Sequence, residues 1–357
     1  MKIISIVGAR PQFIKAALLS KTLRKEDKVQ EILIHTGQHY DDNMSKTFFE
    51  QLSIPAPDIN LGIGGGTHAE QSGAMMIGIE KIILKEKPHC VIVYGDTNST
   101  LAGAVTAAKC NVPLIHVEAG LRSFNRAMPE EINRIIADRL SKILFCPTET
   151  AVSNLHYEGI TEGVHFVGDI MYDALLTFLP IAQQKSNIVE KLGLSGKKYG
   201  LLTIHRAANT DDDQRLKTIL EAIKQTQLII VFPIHPRTQK MLQEYHISLP
   251  PNIIPTEPLS YFDMLTLESK ADCILTDSGG VQKEAYWLGV RCITLREETE
   301  WIETVECGWN KIVGVDKSLI TCTIERWRPT EERLSYYGNG TAAYQMKNII
   351  INNFLAS

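Results

Sequence analysis

No apolar run in the 357 residues approaches the ~20 that a bilayer-crossing helix requires, so the sequence carries no candidate transmembrane helix. It also lacks any C-x-x-C pair. The seven cysteines (Cys90, Cys110, Cys146, Cys273, Cys292, Cys307 and Cys322) are scattered and odd in number. That excludes a disulfide scaffold and a zinc ribbon, and reduced thiols are the expectation. Neither sign of charge prevails: 37 basic and 41 acidic residues leave a net charge of −4. A general nucleic-acid or anionic-membrane surface is therefore excluded, although a local basic pocket is not. A G-x-G-x-x-G fingerprint is missing too, since Gly8-Ala9-Arg10 breaks it and the glycines of 62–66 follow no convincing strand. The opening residues read as a short strand that reaches Arg10 and Pro11 too soon for a signal peptide, so a cytoplasmic location is expected. What remains is a globular composition, 44% hydrophobic and 22% charged, long enough for two domains of ~100–200 residues each.

Short apolar runs alternate with helical patterns along almost the whole chain. Candidate strands lie at 3–7, 31–35, 90–94, 114–117 and 143–146, then at 200–204, 228–233, 273–276, 291–295 and 311–313. They are rich in β-branched residues and apolar on both faces, as strands buried in a parallel sheet are. Helices are expected between them, for example at 11–23, with Pro11 in the first turn, and at 211–224, behind an acidic cap. This alternation predicts an α/β protein with two doubly wound parallel sheets. Residues 183–198, rich in Lys, Gln, Ser and Gly, read as a linker between the halves. In such sheets ligands bind beyond the carboxyl ends of the strands. Those positions hold Gly8-Ala9-Arg10, His35 to His39, Gly95-Asp96-Thr97 and Glu118-Ala119-Gly120 in the first half. In the second they hold His205-Arg206, His235-Pro236-Arg237, Asp277 to Gly280 and Arg296-Glu297. Two such rims facing each other would make a ligand cleft.

The strongest local signal is Thr276-Asp277-Ser278-Gly279-Gly280-Val281-Gln282-Lys283-Glu284. A strand ends, two glycines permit close approach, and a helix begins with free N–H groups, which suits a phosphate; a plain capped turn is the bland alternative. Glu284, one and a half turns into that helix, is within reach of a ribose. Arg10 and Lys15 suit a diphosphate as clamp and point charge, or are simply solvated. Asp96 and Glu118 end apolar strands, where desolvation and mutual repulsion would favour the protonated acid needed in general acid–base work. Glu130 and Glu131 open a helix, where acids are favoured anyway, and Arg134 is placed for an i,i+4 pair with Glu130. His205 and His235 both end strands, and either suits a phosphate, a ribose or a proton transfer. Tyr261 and Phe262 could flank a base, with core packing the alternative for Phe262. His35, His39, Asp41 and Asp42 lie in a glycine-containing loop, and no metal site is expected there.

Taken in order, several of these segments resemble the non-hydrolysing UDP-N-acetylglucosamine 2-epimerase family over essentially the full chain. They are Gly8-Ala9-Arg10-Pro11-Gln12-Phe13-Ile14-Lys15, Gly95-Asp96-Thr97, His116-Val117-Glu118-Ala119-Gly120-Leu121-Arg122, Pro129-Glu130-Glu131-Ile132-Asn133-Arg134, Pro147-Thr148-Glu149 and Asp277 to Glu284. The resemblance implies two Rossmann-like domains of the glycosyltransferase-B type with an interdomain cleft. Residues 1–182 would form the sugar-side domain and 183–337 the UDP-binding domain. Residues 338–357 would hold a helix crossing back to the first domain. It also implies a homodimer, a UDP-sugar substrate, no redox or metal cofactor, and no nucleic-acid or membrane partner. Asp96, Glu118, Glu130 and His205 would be catalytic. Arg10, Lys15, Arg134, His235, Ser278, Gly279, Gly280 and Glu284 would bind the substrate. The implied chemistry eliminates UDP across C1–C2 to a 2-acetamidoglucal, then adds it back after reprotonation of the opposite face.

The sequence departs from the family pattern at Gln12, where many members carry Glu, at Ala208, at Tyr40 to Met44 and at Thr299-Glu300-Trp301. The combination of Gly8-Ala9-Arg10-Pro11-Gln12, His35-Thr36-Gly37-Gln38-His39-Tyr40 and Thr299-Glu300-Trp301 resembles a branch that acts on UDP-2,3-diacetamido-2,3-dideoxy-glucuronate, which would need a cation for the C6 carboxylate; Arg122, Arg126 and Arg296 are the candidates. A hydrolysing epimerase, a glycosyltransferase of the same fold and a non-catalytic UDP-sugar sensor are the remaining alternatives.

Overall fold

Hydrophobic runs rich in Ile and Val form the middle of two all-parallel sheets in the computed structural model, which describes residues 1–38 and 56–355. The chain divides into two compact units, Met1–Leu176 with Ser335–Ser357, and Thr177–Leu334.

The first unit runs β1 (Lys2–Val7), α1 (Arg10–Leu23), β2 (Gln30–His35), β3 (Ile59–Asn60), α2 (His68–Glu86), β4 (Cys90–Tyr94), α3 (Asn98–Lys109), β5 (Leu114–Val117), α4 (Pro129–Leu140), β6 (Ile143–Cys146), α5 (Glu149–Tyr157) and β7 (Val164–Phe166). Its seven strands are ordered β3-β2-β1-β4-β5-β6-β7. The order reverses at β1, between β2 and β4, the kind of switch point at which doubly wound sheets bind ligands. β1, β4 and β5 are buried on both faces, with Ile4, Ile6, Val91 and Val93 packing against Ala102, Ala104 and Ala107 of α3. Small residues on α3 let it sit close to the sheet.

The boundary between the units falls within α6 (Ile170–Lys185). The second unit continues with α7 (Ile188–Lys191), β8 (Tyr199–Thr203), α8 (Ala207–Thr210), α9 (Asp213–Lys224), β9 (Ile229–Pro233), α10 (Pro236–Glu244), β10 (Ile253–Thr256), α11 (Tyr261–Lys270), β11 (Cys273–Thr276), α12 (Gly279–Leu288), β12 (Arg291–Thr294), α13 (Ile302–Glu306), β13 (Asn310–Ile312) and α14 (Lys317–Arg326). Its strand order is β10-β9-β8-β11-β12-β13, and separate hydrophobic clusters cover its two faces. The segment 183–198 is more than the linker its composition suggested. Ile188, Val189 and Leu194 are buried against Tyr199 and Leu201, so its apolar residues join the core while its Lys and Gln face solvent.

The last helix, α15 (Ala342–Phe354), belongs to the first unit. It packs on α1. Asp173 Oδ2 accepts from the Ala343 N–H at 2.9 Å, capping an N-terminus that has no side-chain cap of its own. Among the described residues no helix is long and apolar enough to cross a membrane.

Candidate functional site

The carboxyl ends of β4 and β5 carry two ion pairs. Asp96 Oδ2 accepts from Arg134 Nε at 3.0 Å and Nη2 at 2.6 Å, and Asn133 donates to the Asp96 carbonyl at 2.8 Å. Glu118 sits at φ 71°, a left-handed conformation that costs a non-glycine residue about 1–2 kcal/mol. Its carboxylate is salt-bridged to Lys15 of α1, with both side chains largely buried. A Cβ on Gly95 would lie 3.1 Å from Glu118 Oε2 and 3.1 Å from Lys15 Nζ, so this pair lies across the turn that leads into Asp96. The two acids are therefore not left to repel one another, as the strand ends alone suggested; each is balanced by its own cation.

A second, buried set of charges ties these strand ends to α4. That helix turns Glu131, Arg134 and Asp138 inward at i, i+3 and i+7. Glu131 accepts from the Ser123 N–H at 2.9 Å and the Phe124 N–H at 3.0 Å, which pins the loop before α4, and it pairs with Arg134 at 3.1 Å. The ion pair along the helix is thus with Glu131 at i−3, while Glu130 is exposed in the first turn. His116 of β5 is fully buried and bridges Asp138 Oδ1 at 2.6 Å and the Gly95 carbonyl at 2.7 Å. The carbonyl can only accept, so Nε2 is a donor. Burial alone would raise the Asp138 carboxyl, but His116 and Arg122 outweigh it and hold it below the usual range. Arg122 donates to Asp138 at 2.7 Å and to both Glu158 oxygens at 2.7 and 2.8 Å.

In the second unit β8 and β11 run side by side with Thr203 opposite Thr276, which brings His205 and Asp277 together just beyond the sheet. Asp277 is fully buried. It accepts from the N–H groups of His205 at 3.2 Å and Arg206 at 3.1 Å, and from Asn209 Nδ2 at 3.1 Å. His205 Nδ1 is 3.2 Å from Asp277 Oδ1. Burial would raise the Asp277 carboxyl; His205 and the N–H donors overcome it and lower it. The His235 ring is 5.7 Å from that of His205, and its Nδ1 accepts the Arg237 N–H at 3.2 Å as the cap of α10. α12 begins directly after Ser278, with no side-chain cap. The Gly279 Cα faces Glu300 Oε1, which a Cβ would approach to 2.4 Å, whereas a Cβ on Gly280 would meet only Ser278 Oγ at 3.9 Å. Glu284 is buried on α12. Nearby Glu268 of α11 is pushed well above the usual carboxyl range by burial and by the charge of Glu284.

The structure thus brings Lys15, Asp96, Glu118 and Arg134 together in one unit, and His205, His235, Ser278, Gly279 and Gly280 at neighbouring strand ends of the other. The Arg10 side chain and His39, Asp41 and Asp42 lie outside the described residues. Tyr261 and Phe262 are buried, packing on Phe178 with ring centroids at 6.1 and 6.3 Å; the idea that they flank a base is corrected to core packing. Of the three candidate arginines, Arg122 is committed as above and Arg296 is buried, donating to Glu300 at 3.0 Å, whereas Arg126 is exposed. The departures at 12 and 301 have local explanations. Gln12 accepts from the N–H groups of Gly8 at 2.7 Å and Ala9 at 3.1 Å and donates to the Tyr94 carbonyl at 2.6 Å. The Trp301 ring covers the buried Lys283 ammonium at 4.1 Å. His116, Asp138 and Asp277 stood within or beside the motifs but had no assigned role. The charged i, i+3, i+7 stripe of α4 was the signal for Asp138. Among the described residues no group of three or more His, Cys, Asp or Glu is arranged to hold a metal.

The UDP-N-acetylglucosamine 2-epimerase family pattern matches residues 21–351. A UDP-N-acetylglucosamine 2-epimerase homologue of Methanococcus maripaludis is 51% identical, over 99% of this chain and 100% of its own. The UDP-2,3-diacetamido-2,3-dideoxy-D-glucuronate 2-epimerase of Pseudomonas aeruginosa is 47% identical over 96% and 97%. Among solved structures, the Methanocaldococcus jannaschii UDP-GlcNAc 2-epimerase in complex with UDP-GlcNAc and UDP superposes with a TM-score of 0.92 at 45% identity, covering 99% of this chain and 100% of that one.

Proposed function

The chain belongs to the UDP-N-acetylglucosamine 2-epimerase family, and from that premise we propose that it inverts C2 of a UDP-2-acetamido sugar, UDP-N-acetylglucosamine first, as a precursor for surface polysaccharide. The observation that carries the reading is the pair of charge-balanced carboxylates, Asp96 with Arg134 and Glu118 with Lys15, at the ends of adjacent strands. The C2 proton of the sugar has no neighbouring carbonyl to acidify it, so direct abstraction is too costly. Breaking the C1–O bond first places positive character at C1 and an electron pair on the departing UDP. A carboxylate then takes the C2 proton, giving the 2-acetamidoglucal. Reprotonation on the opposite face and return of UDP to C1 complete the inversion. In this reading the first unit handles the sugar, with Asp96, Glu118 and Glu130 managing the proton and Lys15 and Arg134 setting their charge. The second binds UDP through the N-terminus of α12 at Ser278, Gly279 and Gly280, with Glu284, His205 and His235, and Arg10 is assigned to the diphosphate. Groups already in place where charge develops stabilise the transition state more than the ground state. No redox cofactor takes part.

Incubation in D2O with UDP-N-acetylglucosamine tests this directly. Deuterium should appear at C2 of both epimers, with no free sugar released. Asp96→Asn and Glu118→Gln should each slow exchange by at least about 10²-fold while the circular dichroism of the folded protein is retained. A product without label would sink the mechanism. A second substrate, the diacetamido-glucuronate, is favoured by the Pseudomonas relative and by the exposed position of Arg126 beside α4. If it is turned over, Arg126→Ala should lower kcat/KM for the acidic sugar only. A homodimer in the cytoplasm is the assembly and location that go with this reading, and light scattering on the purified chain checks the first.

A further inference from the structure

We propose that Asp277 is the positioning residue of His205: it holds the ring with Nδ1 as donor, so that Nε2 becomes the nitrogen that passes a proton to the departing diphosphate. This rests on the epimerase reading given above and extends it to a residue that contacts no substrate.

The argument begins with what Asp277 can accept. It is fully buried one residue past β11, and its surroundings offer it donors: two backbone N–H groups, the Asn209 amide and the His205 ring. The orientation of Asn209 is itself fixed. Its Nδ2 also donates to the Leu295 carbonyl at 3.0 Å, and its Oδ1 accepts from Arg215 Nε and Nη2 at 3.2 Å each. An arginine thus fixes an amide, the amide fixes a carboxylate, and the carboxylate fixes an imidazole. Because an ionised carboxylate only accepts, His205 Nδ1 must carry the hydrogen. The side chain is 39% exposed, so a ligand can reach it.

The neighbouring His235 uses its Nδ1 to accept the Arg237 N–H as a helix cap. Among the described residues, Asp277 Oδ1 is 3.2 Å from the His205 ring and the His235 ring is 5.7 Å from it, while the adjoining Arg206 lies 3.9 Å from Glu300. Of these, Asp277 Oδ1 lies nearest the ring, beside Nδ1. In the reaction His205, carrying a hydrogen on both nitrogens, gives its Nε2 proton to a diphosphate oxygen as the C1–O bond breaks, which leaves the neutral Nδ1–H tautomer, and it takes the proton back when UDP adds to C1. Asp277 exchanges no proton; it steadies the cation before the transfer and the Nδ1–H tautomer after it.

Nitrogen-15 NMR of histidine-labelled enzyme reads the tautomer, and kinetics read its consequence. In the wild-type protein His205 should be protonated at Nδ1 at every pH where the fold persists. In Asp277→Asn the amide should no longer favour Nδ1–H, kcat should fall about 10²-fold with KM nearly constant, and the alkaline limb of the kcat profile should move to lower pH. A structural role alone would leave that limb in place. A bare Nδ1 in the wild-type enzyme overturns the proposal, as does a variant with the wild-type pH profile. Asp277 also holds the backbone at 205 and 206, so if the variant does not fold, the wild-type spectrum decides. Failure of the epimerase reading shows separately, as absence of C2 exchange by the wild-type enzyme, and it removes the proton-transfer part of the proposal.

Discussion

At the residue scale, Gln12 shows how one side chain can link three elements. Its amide oxygen serves the first turn of α1. Its nitrogen donates to the Tyr94 carbonyl and to the hydroxyls of Thr97 and Thr100 at 2.9 and 3.0 Å, joining β4 to α3. A carboxylate at 12 could accept from Gly8 and Ala9 but could not donate to the Tyr94 carbonyl, so the amide and its neighbours belong together. Gln12→Ala should cost about 2–4 kcal/mol in urea denaturation, because buried N–H groups are left unsatisfied. A loss below about 1 kcal/mol would mean that water replaces the amide. In the sequence Gln12 was visible only as a departure from a pattern. The partners of its nitrogen lie 82 to 88 positions away, and nothing local announces them.

At the element scale, the two glycines that open α12 are needed for different reasons, and substitution separates them. Gly279→Ala must displace the Glu300 carboxylate, itself held by Arg296, so both the unfolding midpoint and UDP affinity should drop. Among the described residues, Gly280→Ala meets only Ser278 Oγ, at 3.9 Å. It should leave the midpoint unchanged and weaken UDP binding by about 10-fold or more, roughly 1.4 kcal/mol, because only a close-lying ligand fills that space. Calorimetric titration with UDP on both variants reads the difference. Equal affinity of Gly280→Ala and wild type would remove the glycine turn from the UDP site. Legibility followed the same physics. Central strands such as β1, β4 and β11 were readable because burial on both faces demands unbroken apolar runs. β3, β7 and β10 were not, because each lies at a sheet edge and is partly exposed; Val164-His165-Phe166 has no fully buried residue. The strand-end inventory found Asp96, Glu118, His205 and the Asp277 turn for the same topological reason. It could not find the pairing of Asp96 with Arg134 or of His205 with Asp277, which depends on register between distant segments. α4 was hardest to read, since its charged face is inward while Ile132 and Leu140 are each 39% exposed.

At the scale of the whole molecule, buried acids of opposite habit set the pH range of stability. Asp138 in the first unit and Asp277 in the second are lowered from 3.8. Their contribution is complete above about pH 4 and is lost as pH falls through their folded values. Glu268 in the second unit is raised well above 4.5. Folding keeps its proton while the unfolded chain gives it up, so stability falls as pH rises past about 4.5. The two units can be followed apart, because all four tryptophans, Trp287, Trp301, Trp309 and Trp327, lie in the second. Asp138→Asn should lower the urea midpoint seen by circular dichroism at pH 7, flatten its decline toward pH 3, and leave the tryptophan-detected transition in place. Glu268→Gln should raise the tryptophan-detected midpoint more at pH 8 than at pH 5, since an amide has no proton to hold. Parallel midpoints for Glu268→Gln and wild type from pH 5 to 8 would show that Glu268 is ionised in the folded protein. In that case Glu284 would lie beside a second negative charge rather than a neutral acid.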